Sequence, residues 1–278
     1  MPLTDAAALA RTAAEAHRGL GAFNVVHLET ARVLTQAAED AGTPVVLQIS
    51  ENAVAYHGGL EPILLGTLAV ARAAGVDVGV HLDHVTRVDL VREGVSLGAT
   101  SVMFDASALG DAENVEATAA VVRLCHDAGV SVEAELGEIG GKNGVHDPSA
   151  RTDPGDAARY VAATGVDLLA VAVGSSHAMT SRSAALDTDL IAAIHAEVPV
   201  PLVLHGSSGV PDDGMVAAIR AGMTKINVAT HLNGIFTGAV REFLAEHPDV
   251  VDTRTWFRAG NAAVRDEAAR LLRLYAGV

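Results

Sequence analysis

Eight short apolar runs, each followed by a stretch of helical character, recur from one end of this 278-residue chain to the other. They are GAFNVV (21–26), PVVLQIS (44–50), DVGVHLD (77–83), TSVMFDA (100–106), VSVEAELG (130–137), LLAVAVG (168–174), PLVLHG (201–206) and KINVA (225–229). Strands separated by helices run parallel through right-handed crossovers, and eight such units close into a barrel. The expectation is an α/β chain forming a single (β/α)8 TIM barrel domain over residues 1–278. An open doubly wound sheet is the alternative, and it demands no particular strand count.

Composition supports the parallel reading. Half the residues are hydrophobic while only 3% are aromatic, which suits strands buried on both faces under closely packed Ala-rich helices. A net charge of −15 argues against nucleic-acid or acidic-membrane partners, which require a basic patch. Cys125 is the only cysteine, so an intrachain disulfide and a Cys-based zinc site are both excluded. No apolar run reaches the ~18 residues of a membrane span, and the N-terminus lacks the basic-then-apolar pattern of a secretory signal. A soluble, cytoplasmic protein is expected.

Local signals punctuate the helices. Thr86 is placed to cap a helix over 87–97, and Asp111 to cap one over 112–128. Ala-Gly recurs at 41–42, 74–75 and 128–129, where glycine suits the left-handed helix-ending position. The stretch 137–156, with five Gly and two Pro, breaks the rhythm and reads as a mobile loop over the active face.

Functional groups in such barrels gather at the C-terminal strand ends. Those ends deliver Asn24, Ser50, Asp83 and His84, Asp105 and Ser107, Glu135, His177, His205 to Gly209, and Asn227 with Thr230. A barrel built only for packing has no need of that rim. His84, His177 and His205 fall at the ends of the third, sixth and seventh runs. One such histidine alone reads as a hydrogen-bonded rim residue; three beside carboxylates favour a zinc site with an open position, the metal polarising a substrate oxygen. His17, His126, His195 and His247 lie on helical stretches and read as surface residues. The LHGSSG turn (204–209), paired with KINVAT (225–230), suits phosphate held by backbone N–H groups. Lys225 reads as a polar residue of the barrel interior.

Seven blocks then resemble, in order and spacing, the class II metal-dependent ketose-bisphosphate aldolases, of tagatose- or fructose-bisphosphate type. They are AFNV (22–25), HLDH (81–84), SVMFDAS (101–107), VEAELGEIGG (132–141), LAVAVGSSHA (169–178), PLVLHGSSG (201–209) and KINVAT (225–230). The resemblance implies Zn2+ on His84, His177 and His205, with room for a monovalent cation. It implies Asp83 as acid/base on the aldehyde-derived hydroxyl, and Asp105 and Glu135 around the inner metal pocket. Asn227 would hold the enediolate, Gly206, Ser208 and Thr230 the phosphate, and Asn24 and Ser50 the substrate's orientation. Arg254 would reach a far phosphate, often across a homodimer or larger homo-oligomer. The implied reaction is reversible cleavage of a phosphorylated ketose to dihydroxyacetone phosphate and an aldehyde.

Three positions depart from the family pattern. Ala178 stands where the family has Gly, and MTSRSAALD (179–187) replaces a Lys-Gly-Glu-Pro-like stretch. Lys142-Asn143 follows Gly140-Gly141 where the family carries the glutamate that serves as ketone-side base. Asp147, beside His146, is the nearest substitute for that base, with Glu138 next. A non-catalytic sugar-phosphate binder and a metal-dependent hydrolase are the competing readings.

Overall fold

The computed structural model describes residues 3–136, 151–176, 179 and 181–278. Its strands are β1 (Leu20–Asn24), β2 (Val45–Ser50), β3 (Val78–Val85), β4 (Ser101–Phe104), β5 (Ser131–Leu136), β6 (Leu168–Val171), β7 (Leu202–Leu204) and β8 (Met223–Val228). They close in sequence order into an all-parallel barrel, with β1 pairing β8. The helices are α1 (Ala6–Glu15), α2 (Leu28–Ala41), α3 (Glu51–His57), α4 (Leu60–Arg72), α5 (Val88–Leu97), α6 (Asp111–His126), α7 (Pro154–Thr164), α8 (Thr188–Glu197), α9 (Asp212–Arg220), α10 (Thr230–Glu246) and α11 (Thr253–Ala276). Among the described residues no single helix is long and apolar enough to cross a membrane.

Register decides what the barrel encloses. Pairings Ala22↔Val46, Gln48↔His81, His81↔Ser101, Met103↔Glu133, Glu135↔Ala170, Ala170↔Val203, Val203↔Lys225 and Ala22↔Asn227 put one parity of every strand on the inside. The lower interior is apolar: Leu20, Ala22, Val46, Leu168, Ala170 and Val203 pack against Ala6, Ala7, Leu9 and Ala10 of α1, which closes the N-terminal end. α1 lies close to that floor because a Cβ at Gly79 would stand 3.3 Å from the Ala6 Cβ. Asp5 caps α1 by accepting from the Ala8 N–H at 2.9 Å, and it also receives the Ser131 hydroxyl. The opposite strand parity faces the helices and forms the larger apolar core.

Three expected caps turn out differently. Thr86 does not cap α5: its N–H and hydroxyl donate to Glu51 Oε2 at 2.8 and 3.0 Å, and Arg87 takes the N-cap position. Asp111 is the first residue of α6 and Gly110 its cap, so the carboxylate sits in the first turn, favourably placed against the helix dipole. Gly42 and Gly129 have φ of 65° and 72°, whereas α4 is capped by Ala73 and Gly75 instead donates its N–H to Glu39 Oε1.

Candidate active site

A cavity of about 450 Å³ opens at the C-terminal rim, lined by Asn24, Ser50, Asp83, His84, His205, Gly206, Ser208, Asn227 and Thr230 among others. With Ser207, ten residues singled out from the sequence thus share one space. Gln48, Asn52, Tyr56 and Asn233 line it too, and sequence reasoning passed over them. Gln48 lay within reach, since it shares strand parity with Ser50; Asn233 follows Thr230 by one helical turn.

Neighbouring strand residues ordinarily point to opposite faces, yet Asp83 and His84 both reach the rim. β3 allows this through an irregularity in its pairing with β4 between Leu82 and Val85, where His84 takes φ of 51°. Positive φ is rare for a residue with a Cβ and costs of order 1–3 kcal/mol, a strain characteristic of functional sites. The bend brings candidate ligand atoms of Asp83, His84 and His205 within 4.8 Å of one another.

Hydrogen-bond partners fix the ring orientations. His84 Nδ1 lies 3.1 Å from Asp105 Oδ2, and Asp105 Oδ1 accepts from the Ser107 hydroxyl at 2.7 Å. His205 Nε2 lies 2.9 Å from Glu133 Oε1. A carboxylate only accepts, so the charged partner assigns the proton to His84 Nδ1 and to His205 Nε2, although Asn227 Nδ2 also stands 3.1 Å from the latter. The remaining nitrogens, His84 Nε2 and His205 Nδ1, then present lone pairs to each other across 2.9 Å. Two lone pairs so placed repel unless a shared proton or cation lies between them. Beside them, Asp83 is buried; its Oδ2 is 3.4 Å from Asn24 Nδ2, and its Oδ1 has no hydrogen-bond partner among the described residues.

Beneath the rim the interior is polar instead of carrying the branched apolar layers usual in such barrels. Gln48, His81, Glu133 and Lys225 are completely buried there. The Lys225 ammonium stands 2.8 Å from Glu133 Oε2 and donates to Gln48 Oε1 and Asn227 Oδ1, each at 2.8 Å. His81 Nδ1 meets the Ser101 hydroxyl at 2.7 Å. Burial, reinforced by the charge of Lys225, pushes the His81 ring well below the usual imidazole range, so it is neutral. Glu133 was missed in sequence, although it shares parity with Glu135, which is buried two residues further along β5.

The other end of the cavity is suited to an anion. Gly206 has φ of 66°, and a Cβ there would fall 2.6 Å from the carbonyl carbon and oxygen of Ser176. Only glycine fits that turn. The Ser207 hydroxyl donates to the Asn227 carbonyl, and the Ser208 hydroxyl accepts the His231 N–H at 3.1 Å. α10 begins at Thr230, so its amino end and the Gly206–Ser208 turn meet at the cavity wall.

Arg254 does not join this space. It lines a separate cavity of about 640 Å³ formed by residues of α2 and α11, and its Nε and Nη2 pair with Asp252 at 3.0 and 2.8 Å. That cavity is the larger, but helix residues alone line it. His177, Ala178, Glu138, His146 and Asp147 lie outside the described residues.

Comparison with known proteins agrees with this geometry. The sequence profile of the class-II fructose-bisphosphate aldolase family matches residues 4–277. Among solved structures, the chain is similar to the YdjI aldolase from Escherichia coli K12, with 32% identity and a TM-score of 0.86, over 98% of this chain and 97% of that one. It shares its fold with the fructose-bisphosphate aldolase of Campylobacter jejuni at 22% identity and a TM-score of 0.82, over 98% and 95% of the two chains. With the profile covering nearly its whole length, the chain belongs to the class-II fructose-bisphosphate aldolase family, a family of carbon–carbon lyases.

Proposed function

We propose that the rim cavity holds one zinc ion and that the chain reversibly cleaves a phosphorylated ketose to dihydroxyacetone phosphate and an aldehyde. The observation that carries this reading is the facing pair His84 Nε2 and His205 Nδ1, each ring oriented by a carboxylate behind it. Nitrogens sharing one tetrahedral zinc at about 2.0–2.1 Å stand roughly 3.3 Å apart, close to the observed spacing. Carboxylate–histidine–metal arrangements of this kind are the rule in zinc sites. The Oδ1 of Asp83 beside them, without a hydrogen-bond partner among the described residues, adds a further reason to expect a cation. His177 completes the ligand set in this proposal. When bound, zinc supplies Lewis acidity toward a substrate carbonyl oxygen.

The chain's own groups divide the remaining work. Asp83, aimed into the cavity by the β3 irregularity, exchanges a proton with the hydroxyl on the aldehyde-derived carbon. Asn227 has its Oδ1 held by Lys225 and its Nδ2 3.1 Å from His205 Nε2; the second hydrogen of that amide donates to the substrate oxygen that gains charge. Gly206, Ser208 and Thr230 receive the phosphate, while Asn24 and Ser50 orient the hydroxyls. Asp105 backs His84, and Glu135 belongs to the inner pocket. Asp147 with His146 serves as ketone-side base. Arg254, with an exposed guanidinium, meets a second phosphate only across the boundary of a homodimer or larger homo-oligomer.

The test is solvent exchange of the C3 proton of dihydroxyacetone phosphate by zinc-loaded protein. Exchange is expected, with loss in an Asp147→Ala, His146→Ala double variant. Phosphate release in its place indicates a hydrolase, and binding with neither reaction indicates a sugar-phosphate binder; either result overturns the proposal.

A further inference from the structure

Lys225 of β8 touches Gln48 of β2, Glu133 of β5 and Asn227 of its own strand, and these partners all lead to the rim. The ammonium carries three protons, and three oxygens surround it: Glu133 Oε2, Gln48 Oε1 and Asn227 Oδ1, each at 2.8 Å. Through Glu133 the next contact is His205 Nε2 at 2.9 Å, whose opposite nitrogen faces His84. Through Gln48, Nε2 donates to Asn24 Oδ1 at 3.0 Å, and Asn24 Nδ2 stands 3.4 Å from Asp83 Oδ2. Asn227 is reached directly. Lys225 and Glu133 have no exposed surface, so neither faces the substrate space.

We propose that Lys225 is a positioning residue that sets the metal-site histidine His205, the oxygen-binding amide Asn227 and the proton-transfer carboxylate Asp83 in one geometry from beneath the cavity. The proposal rests on the metal-assisted aldolase reading above. A buried ammonium is an expensive way to fill a barrel, and an aliphatic residue would pack the same volume without desolvating a charge. What a lysine adds is direction. It holds Glu133 by an ion pair and Gln48 and Asn227 by donated hydrogen bonds, so Glu133 is fixed beside His205, Asn227 is held with its Nδ2 3.1 Å from His205 Nε2, and the Gln48–Asn24 relay is anchored. A slip of ~1 Å in such groups costs on the order of 10²-fold in rate. Loss of the contacts behind a metal ligand costs about 10–100-fold in metal affinity.

Two variants separate this role from simple packing. Lys225→Met keeps the volume and removes the charge and all three donors. Lys225→Met combined with Glu133→Gln also removes the unpaired carboxylate, while leaving an amide oxygen for the His205 N–H. Cobalt(II) serves as the probe, with affinity read by chelator competition and ligand geometry by its visible absorption; proton exchange on dihydroxyacetone phosphate gives kcat and KM. Lys225→Met should weaken cobalt binding by about 10–100-fold, alter its spectrum and lower kcat. The double variant should regain most of the affinity yet stay low in kcat, because Asn227 and Gln48 remain unanchored. Parent-like cobalt affinity, spectrum and kcat in folded Lys225→Met, with only a lower Tm, would reduce Lys225 to a packing residue and overturn the proposal. If that variant does not fold, the double variant decides alone: parent-like kcat there overturns it, and impaired kcat with retained cobalt binding supports it. Failure of the parent protein to bind cobalt overturns the metal reading first, and this proposal with it.

Discussion

Replacing Gly206 by Ala puts a number on how tightly the anion end of the cavity is built. The new Cβ meets two penalties. The residue sits at φ of 66°, a left-handed conformation that costs an L side chain about 1–2 kcal/mol. The Cβ also lands 2.6 Å from the carbonyl carbon and oxygen of Ser176 and 2.9 Å from its nitrogen, where ordinary contact begins at 3.4 Å. Those are backbone atoms, so no flexible side chain can swing aside; the Ser175–Ser176 segment must retreat. Overpacking of this kind costs about 1–3 kcal/mol. The total is about 2–5 kcal/mol. Gly42→Ala is the matched control, because Gly42 has nearly the same φ, 65°, with nothing within 4 Å of the new Cβ. It should lose only the backbone part, about 1–2 kcal/mol. Urea unfolding of both variants gives the difference, and binding of inorganic phosphate reads the site itself. Gly206→Ala should be the less stable by about 1–3 kcal/mol and bind phosphate at least ~10-fold more weakly. Equal stability losses, or unchanged phosphate binding, would refute the view that this turn is shaped by the close approach of Ser176.

Two further outcomes are expected. Asp83→Asn should retain the fold and bound metal but slow carbon–carbon bond cleavage by about 10²–10⁴-fold, because an amide cannot shuttle the proton; near-parent turnover would assign that step to another group. Cys125 is buried, and desolvation with the nearby charge of Asp167 pushes its thiol up to about 11, so it stays protonated at pH 8. Native protein should therefore resist iodoacetamide at that pH and react only as it unfolds, whereas rapid native-state alkylation would contradict the enclosed setting.

The barrel was legible because its strands are nearly continuous runs of Val, Leu, Ile and Ala, and because helices between them leave little choice but parallel pairing. The rim was legible for a related reason: polar residues at the ends of such runs have no packing role. What sequence could not convey was direction. The positive φ of His84 turns two consecutive residues to one cavity, and no spacing rule signals a left-handed histidine. Glu133 and Lys225 lie 92 positions apart, and their pairing at 2.8 Å exists only once β5 and β8 face each other across the closed interior. Thr86 illustrates the limit of local signals, because the tertiary contact with Glu51 outcompetes helix capping. Arg254 is a similar case: its motif was readable, but its place on the wall between α2 and α11 depends on how the C-terminal helix folds back.

The central claim is that His84 and His205 share a metal with His177 at the rim. Diffraction from zinc-loaded crystals, recorded at the zinc absorption edge, tests it most directly. One anomalous peak is predicted at about 2.0–2.1 Å from His84 Nε2, His205 Nδ1 and a nitrogen of His177, with Asp105 and Glu133 still behind the first two rings. A peak elsewhere, or loaded protein whose His84 and His205 nitrogens remain in mutual contact with no metal between them, would contradict it.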